Sequence, residues 1–455
     1  MRKKDSLNNI TQKIDKIALH KILGLPIFFC VIFLLFEATF YLGNIPIEWM
    51  ENEFYKFNSL VSVLISNQTL RSLIVDGVLT GMESVLVFVP TIIILFTGIS
   101  ILEKSGYIHR VSHLLDGFFK KFGLQGKSII PLVVGFGCTA PAYLAANKMI
   151  KNPKEKIITM MVLSIIPCNA KIPVLVLFTG MIFGPEQAGV ILFLIYLFTF
   201  LFVLISAKFL EKVIFRKYEQ GSSQVELPNY KFPSIKLLYL NVYQRTAIYI
   251  KKIAVFIALA SVLIWVLSNY PKDQAVMRIY DYRIADSIYQ AATEKVHIEY
   301  HELKDELNRE VITNSFLGKF GRAINPIFKP MDFDWKLTVG LVSGLAGKEI
   351  VVSTLGILYS LEEQQHSLKH FKTIYEKDKE CKKFSLIDTM KHNVPIPVGV
   401  AYIVFFLFYT PCLAAISTFA KQTKEKKYTI YLILFTTISA WILSFFAYHI
   451  TKLFI

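Results

Sequence analysis

The sequence predicts an all-α, polytopic membrane protein with interrupted helices, and three observations carry that reading. Of 455 residues, 54% are hydrophobic and only 18% are charged, and the mean hydropathy is +0.47. Soluble domains hold about 45–50% apolar and about 25% charged residues. Apolar runs of membrane-spanning length recur from residue 23 to the C-terminus. Four of these runs are broken by Gly or Pro. The composition excludes a soluble enzyme, a nucleic-acid-binding domain and a disordered chain. The net charge of +16 comes from Lys and Arg in short loops beside apolar runs, as in the cytoplasmic loops of membrane proteins. The cysteines Cys30, Cys138, Cys168, Cys381 and Cys412 are odd in number and widely spaced, which argues against a disulfide framework. The first apolar run is long and lacks a small-residue cleavage site, so no cleavable leader is expected.

Each element follows from charge and hydropathy. The basic residues 1–22 place the N-terminus in the cytoplasm. Gly24 to Gly43 is long enough for one crossing at 1.5 Å per residue. Residues 44–83, acidic with few bases, suit the outside, and Ser84 to Leu102 crosses back. Residues 103–127 are basic and cytoplasmic. Ile129 to Met149, broken at Pro131, Gly135, Gly137 and Pro141, returns to a basic stretch and reads as a re-entrant hairpin. Ile157 to Phe183 crosses outward with breaks at Pro167 and Pro173, and Gln187 to Leu210 crosses back. The basic loop 211–252 is cytoplasmic, and 253–270 holds one crossing. The near-balanced segment 271–336 reads as an extracytoplasmic helical insert. Leu337 to Ser360 is a second broken hairpin, and 361–393 is a charged loop. Val394 to Ala420 crosses inward with Pro411 inside it, and Thr429 to Ile450 is the last crossing. The organisation is thus 1–22, first membrane helices 23–102, a first repeat 103–210, loop 211–252, helix 253–270, insert 271–336 and a second repeat 337–455.

The repeat is internal. PLVVGFGCTAP (131–141) followed by IIPCNAKIP (165–173) parallels VGLVSGLAGKEIV (339–351) followed by YTPCLAAI (409–416). Each is a Gly-broken hairpin and then a helix broken at Pro-Cys. Three crossings separate them, so the repeats are expected to be inverted, as in transporters with broken helices.

Broken membrane helices free backbone groups, which persist only where protein or a water-filled cavity covers them. Pro167 and Pro411 each remove a donor from the carbonyl four residues earlier. Cys138, Cys168 and Cys412 adjoin three of the breaks, whereas Cys30 lies in an unbroken helix and is a small hydrophobe. Thiols together with Asn169, Thr139 and freed carbonyls suit a borderline divalent metal such as Fe2+. Glu349 and Lys348 lie within an apolar run, where charged residues face cavities and act; the plainer alternative is that Lys348 snorkels and pairs with Glu349. Lys171 and Glu37 are weaker candidates of the same kind. The pairs His109/His113, His297/His301 and His366/His370 have ligand spacing but fit solvated helix faces. GLQGKS (123–128) resembles the end of a nucleotide-binding P-loop, yet the required first glycine is Lys121. The chain is therefore not expected to bind nucleotide by that route, nor to be an enzyme.

The chain resembles the membrane part of the ferrous iron transport protein B (FeoB) family. The resemblance rests on HKILGLPIFF (20–29), LRSLIVDGV (70–78), LEKSGY (102–107), GLQGKSIIPLVVGFGCTAP (123–141), ELPNYKFPS (226–234), FDWKLTVGLVSGLAGKEIVVSTLG (333–356) and FYTPCLAAI (408–416). It implies two inverted Gate-type repeats that import ferrous iron across the inner membrane. It maps the family's intramembrane cysteines onto Cys138, Cys168 and Cys412, and its Lys-Glu pair onto Lys348 and Glu349. Thr139-Ala140 stand where the family usually has Asn-Val, and Asn169-Ala170-Lys171 where it has Ser-Ala-Arg. The family's N-terminal GTPase domain has no counterpart in this sequence, so the expectation is either that a separate GTPase docks on the basic cytoplasmic loops, with a small SH3-like protein as a further partner, or that the protein works without one. Lipid, Fe2+ as transported substrate without a permanently bound cofactor, and a homo-oligomer complete that expectation; nucleic acid does not enter it. The alternative is a nucleoside-type Gate transporter, which the cysteines at the breaks disfavour. A membrane scaffold would need no broken helices.

Overall fold

The computed structural model describes residues 11–12, 15–17, 19–20, 23–65, 67–79, 82–83, 86–87, 89–214, 230–231, 234–249, 255–271, 310–348, 350–359, 390–391 and 393–455. Glu349, most of the 271–336 insert, nearly all of loop 361–393, the pairs His297/His301 and His366/His370, and most of residues 215–234 lie outside them. Among the described residues there is no strand, and the protein is all-α.

In chain order the helices are α1 (Gly24–Leu64), α2 (Val89–Lys104), α3 (Tyr107–Lys120), α4 (Ile129–Gly137), α5 (Thr139–Met149), α6 (Pro153–Leu163), α7 (Ile172–Phe183), α8 (Pro185–Ile214), α9 (Ile235–Tyr249), α10 (Val255–Asn269), α11 (Phe316–Ile324), α12 (Trp335–Ser343), α13 (Ile350–Tyr359), α14 (Ile396–Phe408), α15 (Leu413–Thr423) and α16 (Lys426–Phe454). Two short helical pieces, Gln68–Ser72 and a π-helical turn Leu73–Leu79, follow α1. α1 is longer than the crossing expected over Gly24 to Gly43. It runs unbroken for 41 residues through Pro46, and so absorbs half of the segment read as an outside loop.

Four helical segments among the described residues are long and apolar enough to cross a membrane: 24–64, 186–213, 396–423 and 426–454. Only 22% of the apolar window of 186–213 is buried, against 72% for 396–423, so α8 shows its side chains to lipid while α14 and α15 are enclosed by protein. Phe193, Leu197, Leu201 and Ile205 are exposed on α8, and Leu434, Ile438 and Phe446 on α16. Without a bilayer such faces would be unstable in water; within one they are the solvated surface.

The chain forms two compact units. One holds residues 1–169, 196–261 and 413–434; the other holds 170–195, 262–412 and 435–455. In the first, α1 packs on α2, where an added Cβ at Gly98 would run into the Leu35 side chain. Small residues allow such close helix approach in membranes. α2 and α3 meet at 78° around Gly106, whose φ of 89° is a left-handed turn that glycine accepts without strain. Arg110, 1% exposed, is held by an ion pair to Asp15, by the Gly106 carbonyl at 3.0 Å and by the Tyr230 ring at 3.9 Å. In the second unit, α7 packs on α13 and α14, and α11 packs on α12. An aromatic stack Phe178–Tyr402–Phe406 fills that core, with ring centres 4.5 and 6.2 Å apart. Asp334 caps α12 through the Leu337 amide at 2.7 Å and accepts the Tyr359 hydroxyl at 2.6 Å.

Candidate functional site

Both repeats show the same succession: two short helices packed as a hairpin, then a helix interrupted at Pro-Cys. In the first, α4 and α5 pack together and meet at Cys138, whose backbone is extended (φ −156°, ψ 131°). Its amide still donates to Val134 O at 3.0 Å, and its carbonyl accepts from Ala142 at 3.3 Å. The hairpin therefore turns on one residue without orphaning the backbone there. Thr139 opens α5 and is buried, while the Cys138 side chain is partly exposed. Tyr143 on α5 shares a 2.6 Å hydrogen bond with the Ser164 hydroxyl, which ties the hairpin to the first break.

That break runs from Ser164 to Lys171, between α6 and α7. The Leu163 carbonyl, expected to be free because of Pro167, accepts the Ile166 amide at 3.3 Å. The Met161 and Val162 carbonyls accept Ser164 and Ile165 in the same way. A tightened last turn absorbs the loss, as helix ends often do. Cys168 and Asn169 follow, both partly exposed.

The second break behaves differently. α14 ends at Phe408, and α15 begins at Leu413. Pro411 cannot donate to Leu407 O. The carbonyl is taken instead by the Lys171 ammonium, at 2.6 Å. The Thr410 carbonyl accepts the Lys348 ammonium at 3.0 Å. Both lysines are 2% exposed. The Lys348 nitrogen lies 3.0 Å from the centre of the Tyr409 ring and 5.4 Å from that of Phe406. Lys348 therefore does not snorkel; it is directed into the break. The Tyr409 hydroxyl rests where an added Cβ at Gly344 would fall, so that glycine admits the ring. Cys412 is partly exposed at the end of this break.

Among its changes of unit, the chain passes from the first to the second between Asn169 and Ala170 and from the second to the first between Cys412 and Leu413. Two of the five points where the chain changes unit thus fall at the Pro-Cys breaks. Cys138, Cys168, Asn169 and Thr139 belong to the first unit and Cys412 to the second. Among the described residues no group of three or more His, Cys, Asp or Glu side chains could hold a metal ion. Sequence reasoning gave Lys171 little weight and passed over Thr410 and Tyr409. An apolar-run lysine one repeat away from a Pro-Cys break was the available signal.

The P-loop-like stretch has a packing explanation. Gly126 is buried in a 3-10 turn against α3, where an added Cβ would overlap the Ser112 carbonyl. Its amide donates to Asp116 Oδ1 at 2.9 Å. His109 and His113 both lie on α3, with His113 exposed.

Comparison with known proteins gives the family. The Gate model, described as "Nucleoside recognition", matches residues 85–182 and 250–426. The model "Ferrous iron transport protein B C terminus" matches 192–245. The chain is 40% identical over 445 residues to the Fe(2+) transporter FeoB of Campylobacter jejuni, covering 98% of this chain and 66% of the relative. The chain belongs to the FeoB family. The Helicobacter pylori FeoB is 38% identical, covering 97% and 67%. A Porphyromonas gingivalis fusion of Fe(2+) transport protein A with FeoB is 34% identical, covering 98% and 52%. The chain thus spans about two thirds or less of these FeoB relatives, and it is a multi-pass membrane protein like them. No solved structure matches it significantly.

Proposed function

We propose that this chain is the ion-conducting part of a ferrous iron importer of the cell inner membrane, with its N-terminus in the cytoplasm. The observation that carries the reading is the pair of Pro-Cys breaks, between α6 and α7 and between α14 and α15, in a sequence matched over 98% of its length by a protein named an Fe(2+) transporter. Fe2+ is then the substrate, with no resident cofactor. Cys138, Cys168 and Cys412 supply soft sulfur ligands; Thr139 and Asn169 supply harder oxygens. Glu349 supplies charge. The fusion of transport protein A to FeoB in one relative supports a small partner protein. A separate GTPase and a homo-oligomer belong to the same proposal.

Serine keeps the size and hydrogen bonding of cysteine and loses thiolate softness. In cells lacking other ferrous importers, Cys138→Ser, Cys168→Ser and Cys412→Ser lower uptake of radiolabelled Fe2+ at equal membrane levels, while Cys30→Ser does not. Normal uptake by the triple variant sinks the thiol path. Absence of iron uptake by the unaltered chain, alone and with its partners, sinks the importer reading, and uridine uptake in its place favours the nucleoside alternative.

A further inference from the structure

The second break carries two buried positive charges where it needs only two hydrogen-bond donors. A long neutral amide such as glutamine would offer the Leu407 and Thr410 carbonyls an N–H donor without the cost of burying an ion. Charge in an apolar run is expensive and marks a role beyond packing. Both ammonium groups sit on carbonyls of one unwound segment, at 2.6 and 3.0 Å, and one also sits on the Tyr409 ring. Unwound carbonyls are the kind of ligand that coordinates cations in broken-helix transporters. An ammonium held there is a cation in the same place, attached to the chain.

We propose that Lys171 and Lys348 are tethered cations that occupy the carbonyl sites of the Pro411 break when the protein is closed, and that a mobile ion enters only by displacing them. The inference rests on the transport reading above and adds a determinant of selectivity to it. A tethered ammonium competes at a high effective concentration. A singly charged ion gains no more from the carbonyl dipoles than the ammonium does and does not displace it. A doubly charged ion gains about twice as much, because the interaction scales with charge. The two lysines therefore exclude Na+ and K+ from these carbonyls. They are positioning residues: they set which ion reaches the ligands rather than binding it.

The test separates charge from capping. Lys171→Gln and Lys348→Gln each keep an N–H donor for the carbonyl and lose only the charge; the Arg variants keep the charge. The full chain is reconstituted into liposomes, and K+ leak and Mn2+ and Fe2+ entry are read with trapped dyes. The glutamine variants are expected to leak K+ about tenfold faster than the unaltered chain, the scale of losing one close charge interaction. The arginine variants stay closed to K+. Glutamine variants as tight to K+ as the unaltered chain overturn the proposal, because a neutral cap then suffices. Failure of both glutamine variants to reach the membrane also overturns it, because the lysines are then structural. If the unaltered chain admits no Fe2+ or Mn2+ with its partners present, the transport reading fails, whereas normal Fe2+ entry with tight glutamine variants fails the lysine inference alone.

Discussion

The Lys171 ammonium donates to the Leu407 carbonyl at 2.6 Å, across 236 positions of sequence. It joins the end of the first Pro-Cys break to the start of the second. The carbonyl that Pro411 strips of its helical donor is thereby satisfied by a side chain from the other repeat. At the first break the corresponding carbonyl, Leu163, is satisfied by its own chain. The two repeats share an order of elements but not a way of closing their breaks.

Tyr143→Phe is expected to destabilise the first unit by about 1–3 kcal/mol, since it leaves the buried Ser164 hydroxyl without this partner. Thermal unfolding in detergent reads the loss. Tyr143→Phe/Ser164→Ala should recover part of it, because an apolar pair of similar shape leaves nothing unpaired. No recovery in the double variant would mean that the unpaired Ser164 hydroxyl is not the source of the loss, since Phe keeps the ring packed on Phe419, 5.4 Å away.

Glu155, in the first turn of α6 ahead of the apolar run, sets a pH dependence. Burial, then the neighbouring Asp116 and Glu211 carboxylates, push its pKa from 4.5 to about 7, against the opposing pull of Lys120. Its Oε2 has no hydrogen-bond partner among the described residues. Below pH 4.5 the group is protonated whether the protein is folded or not. Between 4.5 and about 7 the folded state keeps a proton that the unfolded state releases, so stability falls as pH rises through that window and levels off above it. The drop is up to about 3 kcal/mol, at about 1.4 kcal/mol per pH unit. Glu155→Gln should remove this slope and melt higher than the unaltered chain at pH 8. Parallel stability profiles for the two proteins would refute the assignment.

Gly126→Ala should unfold or strongly destabilise the turn before α4, because the new methyl group overlaps the Ser112 carbonyl of α3. Lys127→Ala, next to it, should be mild. A phosphate-binding loop would reverse the ranking in a nucleotide assay, since its lysine contacts the phosphates. Saturable binding of a fluorescent GTP analogue to this chain alone, lost in Lys127→Ala, would overturn the packing explanation.

The sequence by itself determined the membrane class, the all-α content, the positions of the breaks and the family. Hydropathy, Pro and Gly act locally, and the runs 129–149, 157–183 and 394–420 are each interrupted in the structure, although Pro131, Gly135 and Pro141 lie inside α4 and α5 and the first interruption falls at Cys138. It also placed Lys348 in an apolar run, where charge is costly. Helix length escaped it: α1 continues past Gly43, because one Pro in a long helix can bend it without ending it. Only the tertiary structure decided how the freed backbone groups are satisfied. Leu163 takes an amide three residues on, whereas Leu407 takes a lysine from far along the chain. The number of donors lost at a proline is written in the sequence. The group that replaces them depends on which side chain folding brings within 3 Å, and two similar Pro-Cys segments found different answers.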